Sequence, residues 1–339
     1  MKLFTVGPVE MYPETLKIEG TQLPYFRTAE FSGIMKENEE MFLASVNAPE
    51  GSCFIGLTCS GTGAMDAAVI NTLSRGDRAL VINGGGFGAR FAEICRRYGI
   101  ETDTFDIPFG EAFDRKIFES MCSVWGDGSK AVTDNKVYAE VCARRKDEAK
   151  NSGRRYTALL VNACETSTGQ LYDLEYLGEI CRRNGFLFIV DAVSAYLADP
   201  IDMTRCGIDV LLTASQKALA LSPGAAFVAL SERAVSHVMD RDNAGSGSVP
   251  MYFDFKSYLL DQKRGQPPYT SAVGIMLAFH DRLKKIVDNG GGAKDPLPGC
   301  LNTVESRMAE KTVIWTDCYR ESGKKLKGTE KEHSISERS

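Results

Sequence analysis

Residues 208–219, "IDVLLTASQKAL", decide the fold, because an apolar strand in this stretch gives way to polar residues and a lysine. The apolar run at 208–212 predicts a buried strand. Lysine side chains usually lie on solvated faces, so Lys217 directly after a core element calls for an explanation. That explanation depends on what the other strands place beside it.

The rest of the chain repeats this pattern of short apolar strands separated by amphipathic helices. Strands are predicted at residues 53–60, 78–84, 101–107, 156–163, 186–193, 209–214 and 225–231. Helices are predicted at residues 30–46, 63–74, 89–99 and 173–185. Such alternation indicates an α/β protein of three layers, in which helices cover both faces of a mainly parallel sheet.

The composition narrows the possible partners. The chain has 339 residues, 25% of them charged, and a net charge of −5. This mild negative balance argues against nucleic acid or an anionic membrane surface as the main partner. No apolar run reaches the length of a membrane span, and the N-terminal residues lack the pattern of a signal peptide.

The cysteine pattern indicates a reducing compartment. The chain has ten cysteines without a CxxC pair and only three histidines. Six of the cysteines lie in or beside apolar segments: Cys53, Cys59, Cys95, Cys164, Cys181 and Cys206. Buried, reduced thiols in a cytoplasmic protein explain this pattern better than disulfides or a metal site, so no metal ligand is assigned.

Two segments depart from the alternating pattern. Residues 122–155 are polar and charged, which predicts an inserted surface helix with loops. The chain from residue 290 is loop-like at first, and after Trp315 it is rich in charged residues and has almost no apolar content, which predicts a largely disordered tail. We therefore expect an N-terminal segment (1–20), a large domain (21–290) and an atypical tail (291–339).

Two glycine-rich turns follow predicted strands. The turn "CSGTGAM" (59–65) precedes a helix, so it is either a phosphate-binding turn or an ordinary tight turn. The turn "GGGFGAR" (84–90) is not a true GxGxxG, which weakens a dinucleotide-binding interpretation. Its Phe87 either presents a ring face to a flat ligand or fills the core.

Two charged residues follow other strands. Asp191 ends an apolar strand, where a carboxylate needs a partner such as a protonated ring nitrogen, unless it caps a helix. Lys217, partly removed from water, can act as a nucleophilic amine toward an aldehyde. Ligands gather at the carboxyl ends of strands in open α/β sheets, so we expect all four features to converge. One ligand has a phosphate, an aromatic ring, a ring nitrogen and an aldehyde: pyridoxal 5′-phosphate.

The sequence resembles the class V (fold-type I) aminotransferases, in the branch of the alanine–glyoxylate, serine–pyruvate and 2-aminoethylphosphonate–pyruvate transaminases. The resemblance covers roughly residues 3–290 and rests on an ordered set of motifs: "FTVGPVEMYP", "FRTAEF", "CSGTGAMDAAVINTLSRGDRALVINGGGFGAR", "ETSTGQLYDL", "FIVDAVSA", "GIDVLLTASQKALALSPG" and "GQPPYTSAVG". It implies a seven-stranded, mainly parallel sheet. It also implies transamination between a small amino donor (alanine, serine or 2-aminoethylphosphonate) and pyruvate or glyoxylate.

The resemblance also implies residue roles. Lys217 would form the Schiff base with the cofactor and move the proton, and Asp191 would keep the ring nitrogen protonated. The other cofactor-binding residues would be Thr62, Gly63 and Ala64 at the phosphate, Gln216 close to the phosphate or the Schiff base, Phe87 and Val193 on the two ring faces, and Thr166 at the phenolic oxygen. Thr270 would reach the phosphate of a second subunit, which implies a homodimer with shared sites.

One departure from the family bears on activity. Family members continue into a small C-terminal domain whose arginine holds the substrate carboxylate or phosphonate, and neither Arg307 nor Arg320 lies in a matching context. Arg27 either contributes positive charge near the site or makes a structural ion pair. Two alternatives therefore stay open: a protein that binds the cofactor without effective turnover, and a class V lyase that uses Cys300 or Cys318.

Overall fold

A computed structural model describes residues 5–123, 155–241 and 249–288. Its strands are β1 (Cys53–Leu57), β2 (Arg78–Asn83), β3 (Glu101–Asp106), β4 (Ala158–Asn162), β5 (Cys164–Glu165), β6 (Gln170–Leu171), β7 (Leu187–Asp191), β8 (Val210–Ala214) and β9 (Ala226–Leu230). Its helices are α1 (Pro13–Glu19), α2 (Ala29–Ser45), α3 (Gly61–Thr72), α4 (Gly86–Arg97), α5 (Arg115–Ser123), α6 (Leu174–Asn184), α7 (Met203–Cys206), α8 (Glu232–Asp240), α9 (Phe255–Gln262) and α10 (Val273–Asp288), with a 3-10 turn at Met251–Phe253.

Seven strands form one sheet in the order β1-β9-β8-β7-β4-β2-β3, and β5 and β6 form a separate small hairpin. Strand β9 runs antiparallel to both β1 and β8, and the other neighbours pair in parallel. The strands in the middle of the sheet are buried along their whole length, as expected where helices cover both faces. The predicted α/β class and the seven-stranded, mainly parallel sheet are confirmed.

One face of the sheet packs against α2 and α10 through aromatic rings. The rings of Phe227 and Phe279 stack at a centroid distance of 3.8 Å, and Phe42 meets Phe54 edge-on at 5.4 Å. All four side chains are fully buried. Burying a side chain of this size stabilises a fold by roughly 1.5–3 kcal/mol, so this cluster is a main source of stability.

The other face packs against α3 through small side chains. Ala64, Ala67 and Ala68 are fully buried against strand residues such as Leu57 and Leu212. Alanine has a short side chain, so the helix lies close to the sheet. This packing fixes where the N-terminus of α3 stands relative to the ends of β7 and β8.

Some expectations need correction or lie outside the description. Cys95, Cys181 and Cys206 are buried free thiols as predicted, but Cys53, Cys59 and Cys164 are free and only half-buried, because each lies at the edge of a strand or turn. Most of the predicted insertion at 122–155 and the whole tail at 291–339 fall outside the described residues. Within the described ranges, no helix combines the length and apolar character that a membrane crossing requires.

Candidate functional site

The parallel strands β4, β7 and β8 end side by side, which brings distant polar residues to one edge of the sheet. In the strand register Asn162 faces Asp191, and Asp191 faces Leu212. The chain continues from β8 through Ser215 to Lys217. The convergence expected for the carboxyl ends of the strands is therefore present for Asp191 and Lys217.

The loop that carries Lys217 is held closed by a buried serine. The Ser215 hydroxyl donates to the Ser222 carbonyl at 2.7 Å and accepts from the Ala225 N–H at 3.3 Å. The Lys217 ammonium donates to the Val6 carbonyl at 3.0 Å. Because Ser215 is fully buried, these bonds fix the origin of the lysine side chain.

Burial and two nearby acidic groups act on the Lys217 amine in opposite directions. Burial lowers the pKa of Lys217 below its ordinary value, and the nearby Asp191 and Cys164 oppose that shift. The backbone of Gly7 also lies against the side chain, since a Cβ on Gly7 would stand 2.6 Å from Lys217 Cδ. A partly dehydrated amine held in one place suits nucleophilic attack on a carbonyl group.

Asp191 is a buried carboxylate with two fixed donors. Its Oδ1 accepts from the Val193 N–H at 2.8 Å, and its Oδ2 accepts from the Asn162 side-chain amide at 2.6 Å. Burial raises the pKa of Asp191 to about 6, although these two donors and Lys217 act in the opposite direction. No helix begins at Asp191, so the N-cap alternative does not apply. A cationic ligand atom would find a matched partner here.

The N-terminus of α3 keeps free N–H groups. Ser60 caps the helix by accepting from the Gly63 N–H at 3.2 Å, and the Ala64 N–H donates to the Ser60 carbonyl at 3.1 Å. The first N–H groups of a helix have no acceptor within it, and no described residue accepts from those of Gly61 and Thr62. These two N–H groups and the Thr62 hydroxyl, rather than the Ala64 N–H, are thus the donors available to an anion.

The N-terminus of α4 is closed by a carboxylate. Glu165 is 1% exposed, and its Oε2 accepts from the N–H groups of Phe87 at 3.0 Å and Gly88 at 2.9 Å. Its Oε1 accepts from both the N–H and the hydroxyl of Ser167, and that hydroxyl accepts from the Gly86 N–H at 2.8 Å. Because a carboxylate already fills this helix end, a pyrophosphate cannot bind there, which removes the dinucleotide interpretation.

Close packing explains the glycines of the second turn. A Cβ on Gly84 would overlap the Tyr172 hydroxyl, and a Cβ on Gly85 would stand 2.8 Å from Glu165 Cγ. A Cβ on Gly88 would stand 2.7 Å from the Ile82 carbonyl oxygen. Gly84 and Gly85 make room for the chain at 165–172, and Gly88 makes room for the end of β2; none of the three is needed for a phosphate.

The remaining predicted residues form contacts around these centres. Val193 packs on the start of α3, since a Cβ on Gly61 would meet Val193 Cγ2 at 3.0 Å and Ala214 Cβ at 3.4 Å. The Thr166 and Ser194 hydroxyls share a hydrogen bond of 2.5 Å. Phe87 is half-buried beside Arg90, which does not match a ring that only fills the core. The predicted cofactor-binding residues Thr62, Gly63, Ala64, Phe87, Thr166 and Val193 thus lie on neighbouring turns of one site.

The two other predicted residues, Thr270 and Gln216, lie on loops that are hydrogen-bonded to other parts of the chain. Thr270 is exposed on a loop whose Ala272 N–H donates to Thr58 Oγ1 at 2.9 Å. The Gln216 carbonyl accepts from the Val9 N–H at 3.3 Å, which ties the N-terminal segment to the lysine loop.

Arg27 supports the loop of Thr270. It donates to the Gln266 side-chain carbonyl and to the Pro268 carbonyl, each at 3.2 Å. These bonds favour a structural role for Arg27. The predicted structural role was an ion pair, whereas both acceptors are uncharged: a side-chain amide and a backbone carbonyl.

Sequence reasoning missed three residues of the site: Glu165, Arg90 and Asn162. Glu165 begins the quoted motif "ETSTG", but its partners in α4 are 77 and 78 residues away in the chain. Arg90 ends the quoted turn "GGGFGAR", and its contact with Thr62 joins two separate turns. Asn162 ends β4, so the rule that polar residues at strand ends are candidates would have found it.

The groups at this edge of the sheet fit pyridoxal 5′-phosphate. The free N–H groups at the start of α3 suit a phosphate, Asp191 suits a ring nitrogen, and Lys217 suits an aldehyde. Within the described ranges, no cluster of three metal-binding side chains occurs.

The family model of the class V aminotransferases matches residues 142–279. An uncharacterized aminotransferase of Methanocaldococcus jannaschii is 30% identical over 291 residues, covering 85% of this chain and 66% of that protein. The 2-aminoethylphosphonate–pyruvate transaminase of Salmonella schwarzengrund is 25% identical over 261 residues, covering 77% of this chain and 62% of that protein. The chain thus spans no more than 66% of the length of these two curated relatives.

A solved structure gives the same picture at the level of the fold. The aspartate aminotransferase of subgroup IV from Thermus thermophilus superposes with a TM-score of 0.69 at 27% identity. The superposition covers 85% of this chain and 71% of that one.

Proposed function

Because the chain belongs to the class V aminotransferases, we propose that it is a pyridoxal-phosphate-dependent transaminase. The observation that carries the proposal is the meeting of three groups at one edge of the sheet. These are the partly dehydrated amine of Lys217, the buried carboxylate of Asp191 and the free N–H groups at the start of α3. Each matches a different part of the same cofactor.

Pyridoxal phosphate, when bound, supplies the electron sink that stabilises negative charge on the substrate carbon. Lys217 would hold the cofactor aldehyde through Nζ, and after release would move the proton at the substrate Cα. Asp191 would keep the ring nitrogen protonated, because a buried anion stabilises a neighbouring cation. Thr62 and the start of α3 would hold the phosphate, and Phe87, Val193 and Thr166 would orient the ring.

We also propose the substrate class and the assembly. Relatives named for 2-aminoethylphosphonate and pyruvate, and for aspartate and glyoxylate, support a small amino donor and a 2-oxo acid acceptor. The exposed position of Thr270 supports a homodimer in which this loop reaches the partner's phosphate site. The free thiols support a reducing, cytoplasmic setting.

The test is a spectral titration of the cofactor-loaded full chain with alanine, serine and 2-aminoethylphosphonate. The proposal expects one donor to convert the yellow form to a colourless form, and pyruvate or glyoxylate to restore the colour. Asp191→Asn is the matched variant, because the amide keeps the shape but loses the charge; we expect it to bind cofactor and convert it at least about a hundredfold more slowly. A protein that turns yellow but converts with no donor would contradict transamination and favour binding without turnover.

A further inference from the structure

Arg90 connects the turn that would hold the cofactor phosphate with the turn that would hold the cofactor ring. Its guanidinium Nη1 donates to Thr62 Oγ1 at 3.0 Å, on the first turn of α3. The same guanidinium lies over the Phe87 ring, with Cζ at 4.7 Å from the ring centroid. Arg90 and Phe87 both belong to the first turns of α4, so one side chain spans from α4 to α3.

The bond to Thr62 determines how the threonine hydroxyl can be used. A guanidinium has five N–H donors and no acceptor, so Thr62 Oγ1 must be the acceptor of this bond. The hydroxyl proton of Thr62 therefore stays free to donate elsewhere. It stands beside the free N–H groups of Gly61 and Thr62, which face the same anion position at the start of α3.

The contact with Phe87 fixes one face of the ring. A cation over an aromatic face is attracted by the negative charge of that face, by about 0.5–1 kcal/mol at partly exposed positions. With Arg90 on one face, a flat ligand that stacks on Phe87 would have to lie on the opposite face. The backbone of Phe87 is already held by Glu165, so Arg90 supplies the restraint on its side chain.

We propose that Arg90 is a positioning residue that makes Thr62 a donor to the cofactor phosphate and holds Phe87 for stacking. The proposal rests on the proposed function, because it assumes that pyridoxal phosphate binds at this site. The positive charge of Arg90 also adds to the positive end of the α3 dipole at the phosphate position. Arg90 therefore makes the site select a phosphorylated pyridine over its unphosphorylated form.

The test uses the full chain, freed of bound cofactor, with pyridoxine 5′-phosphate and pyridoxine as probes. Neither probe has an aldehyde, so Lys217 chemistry does not contribute to binding. We expect Arg90→Gln to weaken pyridoxine 5′-phosphate about tenfold or more and pyridoxine by less than threefold, since a hydrogen bond to a charged group is the term that is lost. Arg97→Gln removes a charge from the same helix at an exposed pair with Glu93, and should change neither affinity.

A second variant tests whether Arg90 acts through Thr62. We expect Thr62→Val to weaken pyridoxine 5′-phosphate in the wild-type background but to have little added effect beside Arg90→Gln. Equal losses for both probes, no loss, or fully additive losses would overturn the proposal. A wild-type chain that binds neither probe would instead contradict the proposed function. Thermal unfolding of each variant shows that it is folded.

Discussion

The helices α3 and α4 begin alike in sequence but differently in structure. Both follow a buried strand and a glycine-rich turn, and both point their N-termini toward the same edge of the sheet. At α3 a short side chain, Ser60, caps one N–H and leaves those of Gly61 and Thr62 free. At α4 the carboxylate of Glu165 and the hydroxyl of Ser167 take up the N–H groups of the first turn.

This difference separates two uses of the same motif. A glycine-rich turn before a helix is open to an anion only if the protein does not supply one itself. At α4 the protein supplies the Glu165 carboxylate, so the start of α4 is a structural contact that holds Phe87 in place. At α3 the protein does not, so that end is available to a phosphate.

The largest expected change in stability tests the start of α4, where Glu165 already accepts from the backbone N–H groups. Glu165→Ala leaves the backbone N–H groups of Phe87, Gly88 and Ser167 without their acceptor, in buried (Gly88) and half-buried (Phe87, Ser167) positions. Each such group costs about 1–3 kcal/mol, so we expect the free energy of unfolding to fall by about 4 kcal/mol in a urea titration. Glu93→Ala, on the exposed face of α4, should cost less than about 1 kcal/mol. A loss of less than about 1 kcal/mol for Glu165→Ala would mean that the contact of Glu165 with α4 does not stabilise the fold.

A smaller loss of stability is expected when a methyl group is added between the start of α4 and Glu165. Gly85→Ala places a methyl group 2.8 Å from Glu165 Cγ and in overlap with Ser167 Oγ, and such overpacking costs about 1–3 kcal/mol. The neighbouring Gly86→Ala is the matched control, because its methyl group would stand 3.7 Å from the nearest atom. We expect the midpoint of thermal unfolding to fall for Gly85→Ala alone. Equal effects of the two substitutions would contradict the packing described here.

The smallest expected change in stability concerns the start of α3, where the N–H groups of Gly61 and Thr62 are free. Ser60→Ala removes the cap of α3 and should lower the free energy of unfolding by about 1 kcal/mol, whereas Ser60→Gly should cost only a few tenths. Adding pyridoxine 5′-phosphate should stabilise Ser60→Ala at least as much as the wild type, because a further N–H becomes available to the anion. A ligand effect that disappears in this variant would place the anion elsewhere. Urea titrations with and without the ligand measure both quantities.

Much of the sheet could be predicted from the sequence, because every strand of the seven-stranded sheet except the mostly polar β3 is an apolar run bounded by turn residues. The antiparallel direction of β9 was not visible, since a short buried strand has the same pattern in either direction. The positions of Asp191 and Lys217 followed from the rule that parallel strands end at one edge. The role of Glu165 did not, because it depends on a turn of α4 that only tertiary packing brings close.

The same limit applies to the site residues carried over from the family. The motifs named Thr62 and Phe87 separately, but not that Arg90 joins them. They named Ala64 as a phosphate donor, whereas its N–H is committed to the Ser60 carbonyl in this structure. Sequence motifs identify which turns meet, and the bonds already made within each turn determine which atoms are left for a ligand.

The most direct test of the role proposed for Lys217 is to locate the covalent attachment of pyridoxal 5′-phosphate. The full chain is incubated with the cofactor, reduced with borohydride, digested and mapped by mass spectrometry. We expect one pyridoxyl-phosphate label on Lys217, its loss together with the visible absorption band in Lys217→Ala, and its retention in the exposed-site control Lys36→Ala. A label distributed over surface lysines, or a visible band that persists in Lys217→Ala, would contradict that role.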